Sequence, residues 1–174
     1  DPRLGFEMAS TGEVACFGHN AEQALLTAMM AVGFTIPKKN ILLTIGRLED
    51  KGDMLGSIQA LHDKGFSFFT TKRTHEFLES RNIPSAMLNK VSEPRSPNIR
   101  EYLEKKRVDL VINIPTHSRG AEQTDGYFIR RIATDHGIPL ITNVQLAKRI
   151  IEALIQENPE ELPIMEWPKL LTET

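Results

Sequence analysis

The run Thr71-Lys72-Arg73-Thr74 puts two hydroxyls and two cations where a buried strand hands over to a helix. Backbone N–H groups at a helix N-terminus, the positive end of the helix dipole and nearby hydroxyls together make a site for phosphate or carboxylate. The same residues also suit an ordinary cap: Thr71 or Thr74 would accept from the first turn of a helix reaching Arg81, with Lys72 and Arg73 solvated. Four more loops come after predicted strands and can contribute to one edge: 46–51 (GRLEDK), 89–97 (NKVSEPRSP), 113–120 (NIPTHSRG) and 142–144 (TNV). They add Lys51, Lys90, Arg95 and Arg119, with Asn113, Thr116 and further Thr or Asn side chains. Such a set fits an anion carrying hydrogen-bonding substituents, for example a phosphorylated metabolite, through charge-assisted bonds worth about 1.5–3 kcal/mol each.

Catalytic chemistry has less to stand on. Proton transfer needs a placed carboxylate or imidazole, and only Asp50 and His117 could face the same edge. Asp50 precedes a predicted helix, where it complements the dipole. Cys16 is the single cysteine, no Cys or His has zinc-like spacing, and neither a P-loop nor GxGxxG comes after a strand. The residues therefore describe a binder before they describe an enzyme.

These loops need a scaffold, and the chain supplies one. Residues 21–32 read as a helix with Asn20 as N-cap and Gly33 as its stop. Five short strands are predicted at 41–45, 66–70, 83–88, 108–113 and 138–142, the third weakened by Pro84. Helices are expected at 52–64, 75–81, 98–106, 125–135 and 144–155, with an apolar stripe along 52–64, 125–135 and 144–155. Near-continuous apolar strands suit a parallel sheet buried on both faces. Strand–helix alternation implies right-handed crossovers, so the expected fold is a three-layer α/β/α domain over 37–156. Ligands of such sheets bind at the carboxyl ends of the strands, where strand order reverses.

With 174 residues, 40% hydrophobic and 25% charged, the chain has room for one good core. A net charge of −2 argues against binding nucleic-acid polymers. No apolar run approaches the roughly 20 residues that span a bilayer, and no secretory pattern is present, so no membrane partner is expected. The single cysteine suits a reducing compartment. Opening on Asp1-Pro2, the chain reads as a piece of something larger.

The run DPRLGFEMASTGEVACFG, above all its EM-x-STGEV, resembles the end of the second ATP-grasp half of the carbamoyl-phosphate synthase large chain. Beyond that run, up to about residue 156, the chain resembles the same family's C-terminal regulatory domain, whose fold is shared with methylglyoxal synthase. IPKKNILLTIG, VDLVINIP, IRR-x-A and GIPL-x-TN carry the likeness. The resemblance implies a five-stranded parallel sheet of order 3-2-1-4-5. It divides the chain into a synthetase arm (1–20), a connecting helix and linker (21–36), a regulatory domain (37–156) and a tail (157–174). It further implies allosteric control of ATP-dependent carbamoyl phosphate synthesis in pyrimidine and arginine biosynthesis, with no catalytic residue on this stretch. ATP, Mg and bicarbonate would belong to the rest of the parent enzyme, leaving no cofactor here. Implied partners are the ATP-grasp domains of the same chain, a small anionic effector, and in some relatives a glutaminase. The implied location is cytoplasmic, or mitochondrial for a urea-cycle type.

By motif, the effector site carries over to Lys51, to the T-x-x-T pair Thr71 and Thr74, to Lys90 of N-K-V, and to Asn113, with Thr116 as the nearest fourth-loop hydroxyl. Arg73 stands where nucleotide-binding relatives have Gly, and would narrow the phosphate cradle or add a charge to it. Relatives controlled by N-acetylglutamate have Trp where Lys90 stands and an Asn-rich fourth loop. Ornithine-responsive ones place Asp where Ile141 stands. A lyase of the methylglyoxal synthase type would need a Gly-Gly-Asp turn, where this chain reads Ser92-Glu93-Pro94-Arg95. A docking module with an unused pocket is the remaining alternative.

Overall fold

The computed structural model describes residues 14–116 and 124–162. Helix α1 (Ala21–Ala31) starts at Asn20, whose side chain accepts from the Gln23 amide, and its chain turns away at Gly33 with φ +88°. After it come β1 (Asn40–Ile45), α2 (Leu48–Asp63), β2 (Ser67–Thr70), α3 (Lys72–Glu79), β3 (Ala86–Met87) and α4 (Ile99–Glu104). The second half holds β4 (Leu110–Ile114), α5 (Asp125–Asp135), β5 (Leu140–Ile141), α6 (Val144–Gln156) and a short 3-10 turn, Pro159–Glu161. All five strands are parallel, in the order β3-β2-β1-β4-β5.

Because side chains alternate across a strand, each strand feeds two cores. Ile41, Leu43 and Ile45 of β1, with Leu110 and Ile112 of β4, pack on Met54, Ile58 and Leu61 of α2, Phe77 and Leu78 of α3, and Ile150 and Leu154 of α6. Leu42 and Val111 point the other way, against Ile99 and Leu103 of α4 and Ile129 and Ala133 of α5. That is the expected α/β/α sandwich. The helix expected as a connector joins the packing as well: Leu26 is fully buried in the first core, and α1 lies along α6. A polar clasp fixes it there, since Asn20 Nδ2 and Gln23 Nε2 donate to the two oxygens of Glu157 at 2.8 and 3.0 Å.

Several element bounds differ from the expected ones. Helix α2 begins at Leu48, not at 52, with Glu49 and Asp50 complementing the dipole of its first turn. Lys51 therefore sits inside a helix and not in a loop. Helix α3 begins at Lys72, not at 75, which draws Thr74 into its buried face. Strands β3 and β5 pair over two residues each. Pro84 has no N–H to offer the ladder before β3, while Pro139 joins the sheet through its carbonyl, which accepts from Val111 N at 2.8 Å. Among the described residues no helix is long and apolar enough to cross a membrane.

Candidate functional site

Strand order reverses between β1 and β4, and the carboxyl ends of those strands open into a cleft of about 720 Å³. Two close approaches shape it. Gly46 ends β1 against the β4 loop: its amide donates to Ile114 O at 3.1 Å, and a Cβ there would lie 2.5 Å from Thr116 Cγ2. Gly126, in the first turn of α5, leaves open the space over Arg130; a Cβ there would be 3.2 Å from its Nη1.

Of the seven residues expected to hold an effector, Thr71, Arg73, Lys90, Asn113 and Thr116 line this cleft. Lys51 and Thr74 lie behind its wall. Thr71 occupies the N-cap position of α3 in extended conformation, yet its side chain makes no capping hydrogen bond. Its carbonyl closes the first turn, accepting from Thr74 N and His75 N at 2.9 Å. As N1 and N2 of the helix, Lys72 and Arg73 have amides with no intrahelical acceptor. Hydroxyl and amides at this terminus are thus uncommitted, beside two exposed cations.

Behind the turn, Thr74 is 1% exposed and donates its hydroxyl to Ile45 O at 3.4 Å. Lys51 is 5% exposed; its Nζ donates to Arg73 O at 3.0 Å and stands 5.9 Å from the centre of the Phe77 ring. No carboxylate among the described residues comes within ion-pair distance of it. Burial first, and the positive charge of Arg73 second, lower the Lys51 pKa below the usual lysine value, with Glu76 opposing. A nearly buried ammonium therefore supports the α3 N-terminus from below without a counter-ion of its own.

The opposite wall comes from α5 and the β3–α4 loop. Asn113 is 4% exposed; its Nδ2 donates to Thr44 Oγ1 and its Oδ1 accepts from Arg130 Nη1, both at 2.7 Å. Lys90 Nζ stands 3.9 Å from Asp125 Oδ2, whose other oxygen accepts from Ser92 N at 2.9 Å. The Glu93 side chain accepts from Lys90 N at 3.1 Å. Thr124 caps α5 by accepting from Tyr127 N. The cleft is therefore bipolar, with Lys72, Arg73, Lys90 and Arg130 set against Glu93 and Asp125.

Sequence reasoning missed Thr44, Asp125 and Arg130. Thr44 carried one legible signal, being the only hydroxyl in an otherwise apolar strand. Arg130 carried another, as a cation flanked by the inward positions Ile129 and Ile132. Asp50 is not a cleft residue: it faces Arg47 Nε at 3.7 Å. Neither Arg95 nor Thr142 or Asn143 lines the cleft, and Asn143 caps α6 by accepting from Leu146 N. His117 and Arg119 lie outside the described residues. Among those described, no group of three or more His, Cys, Asp or Glu is placed to hold a metal.

A family model described as MGS-like domain matches residues 53–142, just over half of the chain. Among curated proteins, the chain is 42% identical over 163 residues to "Multifunctional protein URA2" of Saccharomyces cerevisiae, covering 88% of this chain and 7% of that protein. It is 42% identical over 170 residues to "Multifunctional protein pyr-3" of Neurospora crassa, covering 93% and 9%. Against "Carbamoyl-phosphate synthase (ammonia), mitochondrial" of Homo sapiens it is 42% identical over 158 residues, covering 88% and 10%. The chain thus spans a tenth or less of the length of these relatives.

Proposed function

This chain belongs to the MGS-like domain family, and we propose that it is the allosteric regulatory domain of a carbamoyl-phosphate synthase, binding a phosphorylated effector in the cleft. The likeness to a carbamoyl-phosphate synthase over most of the chain supports the parent enzyme. One observation carries the effector: the buried, unpaired ammonium of Lys51 beneath an α3 N-terminus whose hydroxyl and first amides are uncommitted. A buried cation costs several kcal/mol unless an opposite charge meets it, and an anion at that terminus supplies the charge. Thr71 Oγ and the amides of Lys72 and Arg73 would bind its oxygens, Lys51 and Arg73 would neutralise it, and Lys90 would turn from Asp125 toward it.

The effector would then bias a synthetase that makes carbamoyl phosphate for pyrimidine or arginine biosynthesis in the cytoplasm, or in mitochondria if the parent is of urea-cycle type. ATP, Mg and bicarbonate would act on the other domains of that parent. The ATP-grasp domains, and a glutaminase where one is present, would be the partners. A coupling of roughly 1–3 kcal/mol suffices for such control. A lyase of the methylglyoxal synthase type fits less well: both cleft carboxylates are already engaged, Glu93 by Lys90 N and Asp125 by Ser92 N and Lys90, which leaves neither free as a base.

The test is a melting-temperature panel with UMP, IMP, phosphoribosyl pyrophosphate, N-acetylglutamate and ornithine, repeated on Lys90→Ala. Stabilisation by a phosphorylated compound, weakened in Lys90→Ala while the ligand-free melt stays put, is the expected result. A folded protein that none of them stabilises would sink the effector reading in favour of a docking module, and turnover of dihydroxyacetone phosphate would revive the lyase.

A further inference from the structure

The amino ends of the strands form the other edge of the sheet, and its two halves are unlike. One half is basic. Lys38 and Lys39 lead into β1, Lys105, Lys106 and Arg107 lead into β4, and all five are exposed. The two leads are laced together: Asn40 Nδ2 donates to Arg107 O at 3.0 Å, and Asp109 N to Asn40 O at 2.7 Å. Carboxylates nearby are already engaged. Asp109 accepts from Lys39 N and Asn40 N, Glu104 faces Arg100 at 3.5 Å, and Asp135 faces Arg131 at 2.9 Å. None of the described carboxylates pairs with the five cations. Helix α4 closes in a Schellman-type turn, with Lys106 N donating to Leu103 O at 3.0 Å and Arg107 N to Tyr102 O at 2.8 Å. Glycine is the usual residue at the left-handed position of that turn, and here it is Lys106, with φ +49°. Dipole complementarity at the end of α4 accounts for Lys105, but not for Lys38, Lys39 or Arg107, which belong to no helix.

The other half, on the α2/α6 side, is an apolar groove with an acidic lip. About 360 Å³ in volume, it is lined by Ile36, Pro37, Phe66, Ile155 and Pro159, with Glu157 beside them. Lys64 lines it too, but turns its ammonium to Leu154 O and Ile155 O at the end of α6. Beyond Glu157, Glu160 and Glu161 stand exposed in the 3-10 turn. Such a groove suits lysine, whose stem lies on apolar surface while its ammonium reaches the acid. The chain's own Lys105 and Lys106 cannot fill it. They end α4, which packs on one face of the sheet, whereas Phe66 and Ile155 pack on the other. We infer that the amino edge is a self-complementary docking surface for a second copy of this chain, the lysine turn 105–107 of each copy seating in the acidic-lipped groove of the other. A two-fold axis makes both contacts at once and closes the pair. Exposed ion pairs contribute little singly, so the pair is weak and salt-sensitive, with its charges fixing register. It uses no cleft residue and stands whatever the cleft binds.

Sedimentation equilibrium of the 174-residue chain measures the pairing. Charges act over roughly 30 Å at about 0.01 M salt and roughly 3 Å at about 1 M, so the dimer should be at least about tenfold weaker in the second. Lys105→Glu/Lys106→Glu sets acid against acid, and Glu160→Lys/Glu161→Lys sets base against base. Each double variant should be monomeric where the wild type is dimeric, with its melting temperature unchanged, since all four side chains are exposed. An equimolar mixture of the two variants should restore the dimer, because every reversed half then meets its opposite. A wild-type chain that is monomeric at both salt concentrations overturns the proposal. So does a dimer that either variant keeps, since it must form elsewhere on the molecule. A mixture that stays monomeric overturns it as well, because the two charged halves then do not face each other.

Discussion

Replacing Lys51 by Met separates a counter-ion site from a structural lysine. The two side chains are close in volume, so the cavity under α3 stays filled, while the ammonium and its bond to Arg73 O are lost. Two opposed terms set the ligand-free stability. A hydrogen bond from a charged donor is worth about 1.5–3 kcal/mol, but keeping a 5%-exposed ammonium without an ion partner costs several kcal/mol. Arg73 O also keeps its place in the α3 hydrogen-bond ladder, so no orphaned carbonyl results. Unliganded stability should therefore change by no more than about 1 kcal/mol, the remainder of those terms. With ligand the balance is one-sided. An anion about 6 Å from the ammonium, at an effective dielectric constant of about 20, gains about 2.8 kcal/mol. After partial screening, Lys51→Met should lose between about tenfold and 100-fold in affinity for a phosphorylated ligand.

Denaturant melts with and without ligand, together with calorimetric titration, give both numbers. A fall of more than about 3 kcal/mol in the ligand-free melt would mark Lys51 as a structural pair member, and unchanged ligand affinity would refute the counter-ion argument outright. The pH dependence adds an independent check. Because the folded pKa is lowered, the unfolded chain holds more protons between that value and the ordinary lysine value. Ligand-free stability should rise with pH across that interval, while affinity for the anion falls as the ammonium discharges. Lys51→Met should show neither trend.

Contacts around the cleft and the N-terminal helix yield further expectations. Gly46→Ala drives a methyl to 2.5 Å from Thr116 Cγ2 and 3.1 Å from Thr116 N; it should cost about 1–3 kcal/mol in a denaturant melt and weaken ligand binding, and an unchanged melt would show that the β4 loop yields freely. Asn113→Ala leaves Arg130 and Thr44 without their shared partner and should cost about 2–3 kcal/mol, to be read by the same melt. At the far end of the molecule, donation from Asn20 first and Gln23 second holds the Glu157 pKa below the usual carboxylate value. Stability from this clasp is complete above the ordinary Glu pKa and is lost as pH falls through the lowered folded value. Protection of the α1 amides against hydrogen exchange, taken relative to the intrinsic rate at each pH, should accordingly fall in acid, and Glu157→Gln should flatten that dependence.

Much of the scaffold was legible because its signals are local. Apolar runs at 41–45 and 108–113 could be satisfied only by strands buried on both faces. Residues 125–135 and 144–155 carry helical stripes long enough to place α5 and α6 within a residue. Asn20 was readable as a cap for the same reason, since a cap depends on its own next three residues. Loops after the strands, and hence the edge where a ligand would sit, emerge from the alternation alone.

What local signals could not decide is which way each polar side chain of that edge faces. Lys51 and Thr74 look like loop residues from their neighbours in the chain, and only the earlier starts of α2 and α3 carry them beneath the cleft. Thr71 looks like a cap, yet its hydroxyl caps nothing. Arg130 reads as one more charged residue of an amphipathic helix until β4 brings Asn113 against it, 17 positions away in the chain. Periodicity reports burial averaged over a turn, whereas counter-charges and open hydrogen bonds are set by contacts between elements distant in sequence. The sequence by itself therefore determined the sheet, its helices and the edge at which they open. The tertiary structure decided which cations at that edge stand without a partner.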